Sequence, residues 1–249
     1  MQSNIDVKRD LPLLQDDLHY FGAVGQQYLS KSSAGALLGD VRQFLVQKQH
    51  NINFELGSYF HHLLIEPEKA KLDHVIESST RGTKKYKEFV ASEGIGFAVL
   101  ESEKKMIENL AAAILAIPTF EQIIYNIDNE YEVAGVIKLH DLWWKGKADI
   151  VATDKVYDLK TTGDLSRFRF TAKQYNYDLQ AFLYKEIFGK DMVFLVACKK
   201  TANVALFECS DEFYNSGKHK AEKAAINYER YFGANATENP SKYFIKSQL

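Results

Sequence analysis

The sequence predicts an α/β fold, a mixed central sheet with helices on both faces, and three observations carry that reading. Apolar residues recur at helical spacing in the first half of the chain. Three adjacent strand patterns occupy the middle. One further helix is then followed by an apolar run too short to be another. The resulting order is helix, three strands, helix, strand.

Residues 1–50 are expected to hold short helical pieces around the polar patch Ser30-Lys31-Ser32-Ser33. Residues 54–65 form an apolar helix closed at Glu66-Pro67, because the residue before a proline resists helical geometry. Residues 68–93 are lysine-rich and mixed. Residues 95–115 read as a helix, with Pro118 as its stop. Residues 131–140 alternate apolar and polar, as a half-buried strand does, and 143–152 and 156–161 are two more strands. Thr171-Ala172-Lys173-Gln174 has the form of a capping box, in which the Thr hydroxyl and the Gln side chain satisfy free amides at a helix start. The helix it opens should run to Phe188, where Gly189 supplies a left-handed stop. Residues 192–198 are almost wholly apolar, the pattern of a strand buried on both faces. Residues 204–209 are a further strand and 211–232 a last amphipathic helix.

Apolar residues make up 46% of the 249 and charged residues 26%, an ordinary balance for a chain able to bury a full core. We expect one domain, with 1–53 as a helical decoration, 54–210 as the catalytic core and 211–249 as a helix and tail. The 14 Tyr and 16 Phe can serve core packing or stacking on bases, and packing is the default. A net charge of −2 does not by itself announce a nucleic-acid binder, although a basic face can coexist with a neutral total. Such a face could draw on Lys84, Lys85 and Lys87; on Arg167, Arg169 and Lys173; on Lys199 and Lys200; or on Lys218, Lys220 and Lys223. Taken singly, each group reads first as a solvated face. Cys198 and Cys209 are too few for a disulfide framework, a four-cysteine zinc site or an iron–sulfur cluster. MQSNIDVKRD lacks the apolar run of a signal peptide, and the longest apolar stretch, 110–117, is far short of a membrane span. The expectation is a cytoplasmic protein with no membrane partner.

Chemistry concentrates in Gly146-Lys147-Ala148-Asp149 and Asp158-Leu159-Lys160-Thr161-Thr162. Residues two apart in a strand share a face, so Asp158 and Lys160 point the same way. A turn centred on Thr153-Asp154 sets 152 opposite 155 and hence 149 opposite 158. Two carboxylates would then face each other with Cβ atoms roughly 4.5–5.5 Å apart. Like charges that close require a raised pKa, a neighbouring lysine or a cation. Lys160 offsets one charge only; a divalent ion handles both, and hard oxygen ligands suit magnesium or manganese. Such a site performs metal-assisted phosphodiester hydrolysis, with Lys160 orienting the water or offsetting charge on the transition state. The competing reading is a surface Asp158–Lys160 salt bridge beside a solvated Asp149.

These residues resemble the PD-(D/E)XK nuclease superfamily, and within it the RecE-type (exonuclease VIII-like) exonucleases of phages and prophages. The resemblance extends to Leu56-Gly57-Ser58-Tyr59-Phe60-His61-His62-Leu63-Leu64-Ile65-Glu66-Pro67, to Tyr28-Leu29-Ser30-Lys31-Ser32-Ser33 and to Tyr177-Asp178-Leu179-Gln180-Ala181-Phe182-Leu183-Tyr184, in the family's order over residues 28–190. It implies a restriction-endonuclease-like core. It further implies that Asp149, Asp158 and the Leu159 backbone carbonyl ligate Mg2+ or Mn2+, that Lys160 is the catalytic lysine and that His61 is an additional ligand. On the residues alone, His61 reads more readily as a satisfied core histidine; His62 competes with it, and the spacing from Gly57 favours His61. Gln180 is expected to reach the DNA or the site, Glu132 to be an accessory, and Tyr177 and Tyr184 to be core by their spacing, with Tyr177 also an accessory candidate. Arg167, Arg169, Lys173, Lys199 and Lys200 are the candidate DNA contacts.

The resemblance also implies 5′-to-3′ degradation of one strand from double-stranded DNA ends, a 3′ overhang passed to a single-strand annealing protein for recombination, and a homo-oligomer. The iron–sulfur branches of the superfamily are set aside for want of cysteines, and no helicase phosphate-binding motif is present. Without the long amino-terminal extension of some relatives, the chain is expected to be close to a bare catalytic domain. The rival functions are an endonuclease of the same superfamily, used in restriction or repair, and a catalytically silent DNA-binding scaffold.

Overall fold

The computed structural model describes residues 5–46 and 51–244. Parts of the expected amino-terminal decoration and tail, residues 1–4, 47–50 and 245–249, lie outside the described residues. In chain order the elements are α1 (Val7–Leu13), α2 (Asp17–Phe21), α3 (Lys31–Leu38), α4 (Ile52–Ile65), β1 (Val75–Ile76), α5 (Lys84–Glu93), β2 (Val99–Leu100), α6 (Glu101–Leu115), α7 (Pro118–Ile124), β3 (Glu130–Leu139), β4 (Leu142–Val151), β5 (Lys155–Thr162), α8 (Phe168–Gln174), α9 (Tyr177–Phe188), β6 (Asp191–Cys198), β7 (Val204–Glu208) and α10 (Asp211–Phe232).

The α/β architecture is the one the sequence predicts. A five-stranded sheet has the order β3-β4-β5-β6-β7. Its first three strands are antiparallel, β5 and β6 are parallel, and β7 returns antiparallel to β6. The parallel pair requires a crossover, and α8 with α9 supplies it. Each face of the sheet carries its own core. On one, Trp144, Val156, Phe194 and Val196 pack with Leu37 of α3, Leu179 and Leu183 of α9 and Ala224 of α10. On the other, Ile150, Leu159, Val193 and Leu195 pack with Phe60 of α4, Ile107 of α6 and Ile124 of α7. Strand β6 feeds both cores, which is why it reads as a continuous apolar run. Among the described residues no single helix is long and apolar enough to cross a membrane.

Three expectations shift. The helix expected over 95–115 begins at Glu101, because Val99 and Leu100 pair with Val75 and Ile76 as a small parallel sheet. The Glu103 carboxylate accepts the Leu100 N–H at 2.9 Å and so starts the helix there. Pro118 opens α7 as well as ending α6, since a proline at the first helical position loses no hydrogen bond. Thr171 is not a cap: α8 starts earlier, at Phe168, and the Thr171 hydroxyl donates back to the carbonyls of Arg167 and Phe168. A capping box is formed instead by Ser30 with Ser33, at the start of α3. Gly189, at φ +66°, is the stop of α9 as expected.

Candidate active site in the fork between β4 and β5

The β4–β5 turn has the expected centre: the Ala152 N–H donates to the Lys155 carbonyl at 2.9 Å, and Val151 pairs with Val156 and Ile150 with Tyr157. One more step sets 149 opposite 158. There the ladder stops. The Leu159 N–H donates to the Asp149 carboxylate at 2.6 Å instead of to a backbone carbonyl. Farther along β4 its partner is Leu29, which bonds Trp143 and Lys145 on the edge that β5 has left. The two strands therefore open as a fork with Asp149 at its base.

The pleat slips at the same place. Trp144 and Ala148 face α9, so Asp149 faces the α4 side, yet Ile150 also packs on that side and Val151 returns to the α9 side. The neighbouring strand slips with it. Glu132, opposite 149 in the β3–β4 register, has φ +52°, a left-handed conformation uncommon for a residue other than glycine and typical of functional sites. The register is as read and the two acids stay electrostatic neighbours, Asp149 held by His61 of α4 and Asp158 by Gln180 of α9.

Around Asp149 three acceptors converge on the His61 ring of α4. Nε2 lies 2.8 Å from Asp149 Oδ2 and 3.2 Å from the Leu159 carbonyl, and Nδ1 lies 3.6 Å from Glu132 Oε1. Burial works to lower the His61 pKa, but Asp149 and Glu132 outweigh it and raise it to about 10. Burial works to raise the Asp149 carboxyl, and His61 and Lys160 outweigh it and hold it down. His61, not His62, is the histidine in this cluster, and the ligand atoms of His61, Glu132 and Asp149 lie within 4.8 Å of one another. Opposite ligands of an octahedral magnesium ion are about 4.2 Å apart, so the group is of a size that could hold a metal ion.

Asp158 is 1% exposed. Its Oδ1 accepts from Gln180 Nε2 of α9 at 2.5 Å. Its Oδ2 is in ion-pair contact with the Lys160 ammonium. Burial and then Asp149 push the Asp158 carboxyl above the usual range. Lys160 is kept protonated: burial opposes its charge, but Asp158 and Asp149 more than offset it. Its ammonium lies 5.1 Å from the Tyr177 ring centre.

Close approach of α9 brings Gln180 to Asp158. Gly135 and Gly146 are cross-strand partners beneath it, and a Cβ on Gly146 would lie 2.6 Å from Tyr184 while one on Gly135 would lie 2.2 Å from Ile187. Tyr184, as expected, is core, and its hydroxyl donates to the Lys147 carbonyl at 2.5 Å. Sequence reasoning missed Lys147 itself. Its ammonium joins Glu132 at 3.0 Å to Asp17 at 2.5 Å. Strand parity was the available signal, because a residue two before Asp149 shares its face.

The proposed DNA contacts divide. Arg167, Arg169 and Lys200 are exposed. Lys173 pairs with Glu212 at 2.9 Å, and Lys199 reaches Asn53 at 3.4 Å. Lys220 is a structural clasp on the fully buried Asp178, at 2.8 Å, rather than part of a solvated patch.

Compared with known families, the chain matches the one described as a PDDEXK-like domain of unknown function (DUF3799) over residues 30–241. A structure from Eubacterium rectale, provisionally described as an exonuclease, is alike in fold, with a TM-score of 0.62, 13% identity, and coverage of 94% of this chain and 95% of that one. A phage-related exonuclease from Haemophilus somnus 129PT shares 12% identity over 82% of this chain and 94% of its own, but its TM-score of 0.33 carries no argument. No curated protein matches the chain.

Proposed function

The chain belongs to the PDDEXK-like family DUF3799, within the PDDEXK nuclease superfamily, and on that premise we propose that it is a divalent-metal-dependent exonuclease acting on ends of double-stranded DNA. One observation carries the reading. His61, Glu132 and Asp149 gather at the base of the fork, and beside them the buried Asp158 is in ion-pair contact with a protonated lysine.

The donor set fits a hard cation: two or three carboxylates, the Leu159 carbonyl, and an imidazole that suits manganese as well as magnesium. Asp149, Glu132, His61 and the Leu159 carbonyl would hold the ion, with Asp158 completing it from the other arm. A bound ion supplies phosphate polarisation and a lowered water pKa. The remaining work belongs to the chain. Lys160, held charged by Asp158 and Asp149, donates N–H to the phosphate oxygens as negative charge builds there, or fixes the attacking water. Gln180 holds Asp158 in place from α9. Arg167, Arg169 and Lys200 lie at or near the end of β5 and β6 and offer charge to phosphates farther along the strand.

The motif order shared with RecE-type exonucleases supports the finer features: 5′-to-3′ polarity, a 3′ overhang handed to a single-strand annealing protein, and a homo-oligomeric assembly. The test uses linear duplex labelled at its 5′ end and a covalently closed circle of equal sequence, each with Mg2+ and with Mn2+. The expected result is early release of labelled mononucleotide from linear DNA and an intact circle. Cleavage of the circle would make the protein an endonuclease, and an absence of hydrolysis with either metal would make it a binding scaffold.

A further inference from the structure

We propose that Tyr175 is a stacking platform for an unpaired nucleobase beside the catalytic lysine, an inference that rests on the nuclease reading above. Tyr175 is 57% exposed, though it follows directly on α8 in the midst of a well-packed corner. It is the outer end of a line of rings that starts in the core. Phe194 of β6 stacks on Tyr177 with centroids 5.6 Å apart, and Tyr177 stands 6.0 Å from Tyr175. The Tyr177 ring is fully engaged, since Lys160 lies 5.1 Å and Lys31 4.8 Å from its centre. Tyr175 is the member of the line whose ring is open to solvent.

The mount is rigid. Between the two tyrosines Asn176 takes a left-handed conformation, φ +57°, which breaks α8 from α9 and points Tyr175 outward. Lys220 of α10 holds that break through the Lys173 carbonyl at 2.7 Å, Asn176 Oδ1 at 2.8 Å and Asp178 Oδ1 at 2.8 Å. An exposed ring held this firmly loses little freedom when a flat ligand lies on it.

The occupant follows from what stands next to the platform. Two ammonium groups on Tyr177, one of them Lys160 at the proposed reaction centre, together with the exposed guanidinium groups of Arg167 and Arg169 at the far end of α8, favour a polyanion with flat aromatic groups. Single-stranded nucleic acid has that chemistry: phosphates for the cations and a π-face for the ring. A base inside a duplex already has both faces covered, so the platform takes a base from a frayed end or a displaced strand.

The experiment is equilibrium binding, in EDTA so that no hydrolysis occurs, of a short oligothymidylate carrying one 2-aminopurine. The parent protein is expected to bind and to quench the 2-aminopurine emission, the signature of stacking. Tyr175→Ala should weaken binding about tenfold and abolish the quench, whereas Tyr175→Trp should preserve both. Parent-like affinity and quench in Tyr175→Ala would overturn the proposal, as would loss of both in a folded Tyr175→Trp. Digestion of linear duplex by the parent is scored separately, so failure of the nuclease reading and failure of the platform are told apart.

Discussion

Asp158 is a buried carboxylate held between two partners, with one oxygen accepting from Gln180 and the other in contact with Lys160. Burial and then Asp149 raise its affinity for a proton. Asp158→Ala should lower the initial rate of linear-duplex digestion by at least about a hundredfold, as loss of preorganised electrostatics does, with the melting profile retained. A variant digesting at the parent rate would remove Asp158 from the chemistry. Lys147 acts one step back from the cluster by tethering Glu132 to Asp17. Removing such an outer partner costs about 10–100-fold in metal affinity, so Lys147→Met should raise the Mg2+ concentration for half-maximal rate by that range with little change at saturation. A lower saturated rate with an unchanged Mg2+ requirement would contradict that role.

At the level of elements, the site depends on how α9 is pinned. The Asp178 carboxylate at its start is 0% exposed and is answered by Lys220 at 2.8 Å and Ser216 at 2.6 Å from α10. Breaking a buried pair by removing one partner costs about 3–5 kcal/mol, because the other charge stays buried and unpaired. Lys220→Met should show that loss in urea unfolding, and Lys220→Met with Asp178→Asn should recover part of it; a double variant no more stable than the single would refute the charge argument. Helix α1 carries a pH-dependent contact. The Asp10 side chain is buried and accepts from Arg9 Nε at 2.7 Å and from the Tyr28 hydroxyl at 3.0 Å. The Arg9 bond, against the cost of burial, holds its carboxyl below the usual range. A depressed carboxyl binds its proton more weakly folded than unfolded. Its stabilisation is therefore present above the ordinary pKa of about 3.9 and fades as pH falls through the lower folded value. Stability of Asp10→Asn measured between pH 5 and pH 3 should fall less steeply than that of the parent.

At the scale of the whole molecule, a net charge of −2 sets no long-range attraction for DNA, so affinity must come from local groups. Each phosphate contact contributes a slope of about −0.9 to the plot of log K against log salt for duplex DNA. Arg167→Gln with Arg169→Gln should flatten that slope by about 2, and an unchanged slope would return both to plain surface. Periodicity made the longer helices, the five sheet strands and the β4–β5 register legible, because each depends on patterns a few residues long, but it passed over α5 and α7. Strand parity brought out Asp149, Asp158 and Lys160, the resemblance added His61 and Gln180, and the fold collects all five at one fork. The capping reading at Thr171 went astray because two helices meet there at Asn176, and a break held by Lys220, 44 residues away, leaves no local mark.

The amino-acid sequence by itself determined the α/β class, the hairpin register and the residue types of the candidate metal site. Tertiary structure decided which of them meet. The slip of the pleat at Glu132 and Asp149, the opening of β5 away from β4 and the insertion of Leu29 are responses to packing on two faces at once. Alternation along a strand carries no record of them. That is why the sequence set the two acids side by side but could not say that His61 would hold one and Gln180 the other.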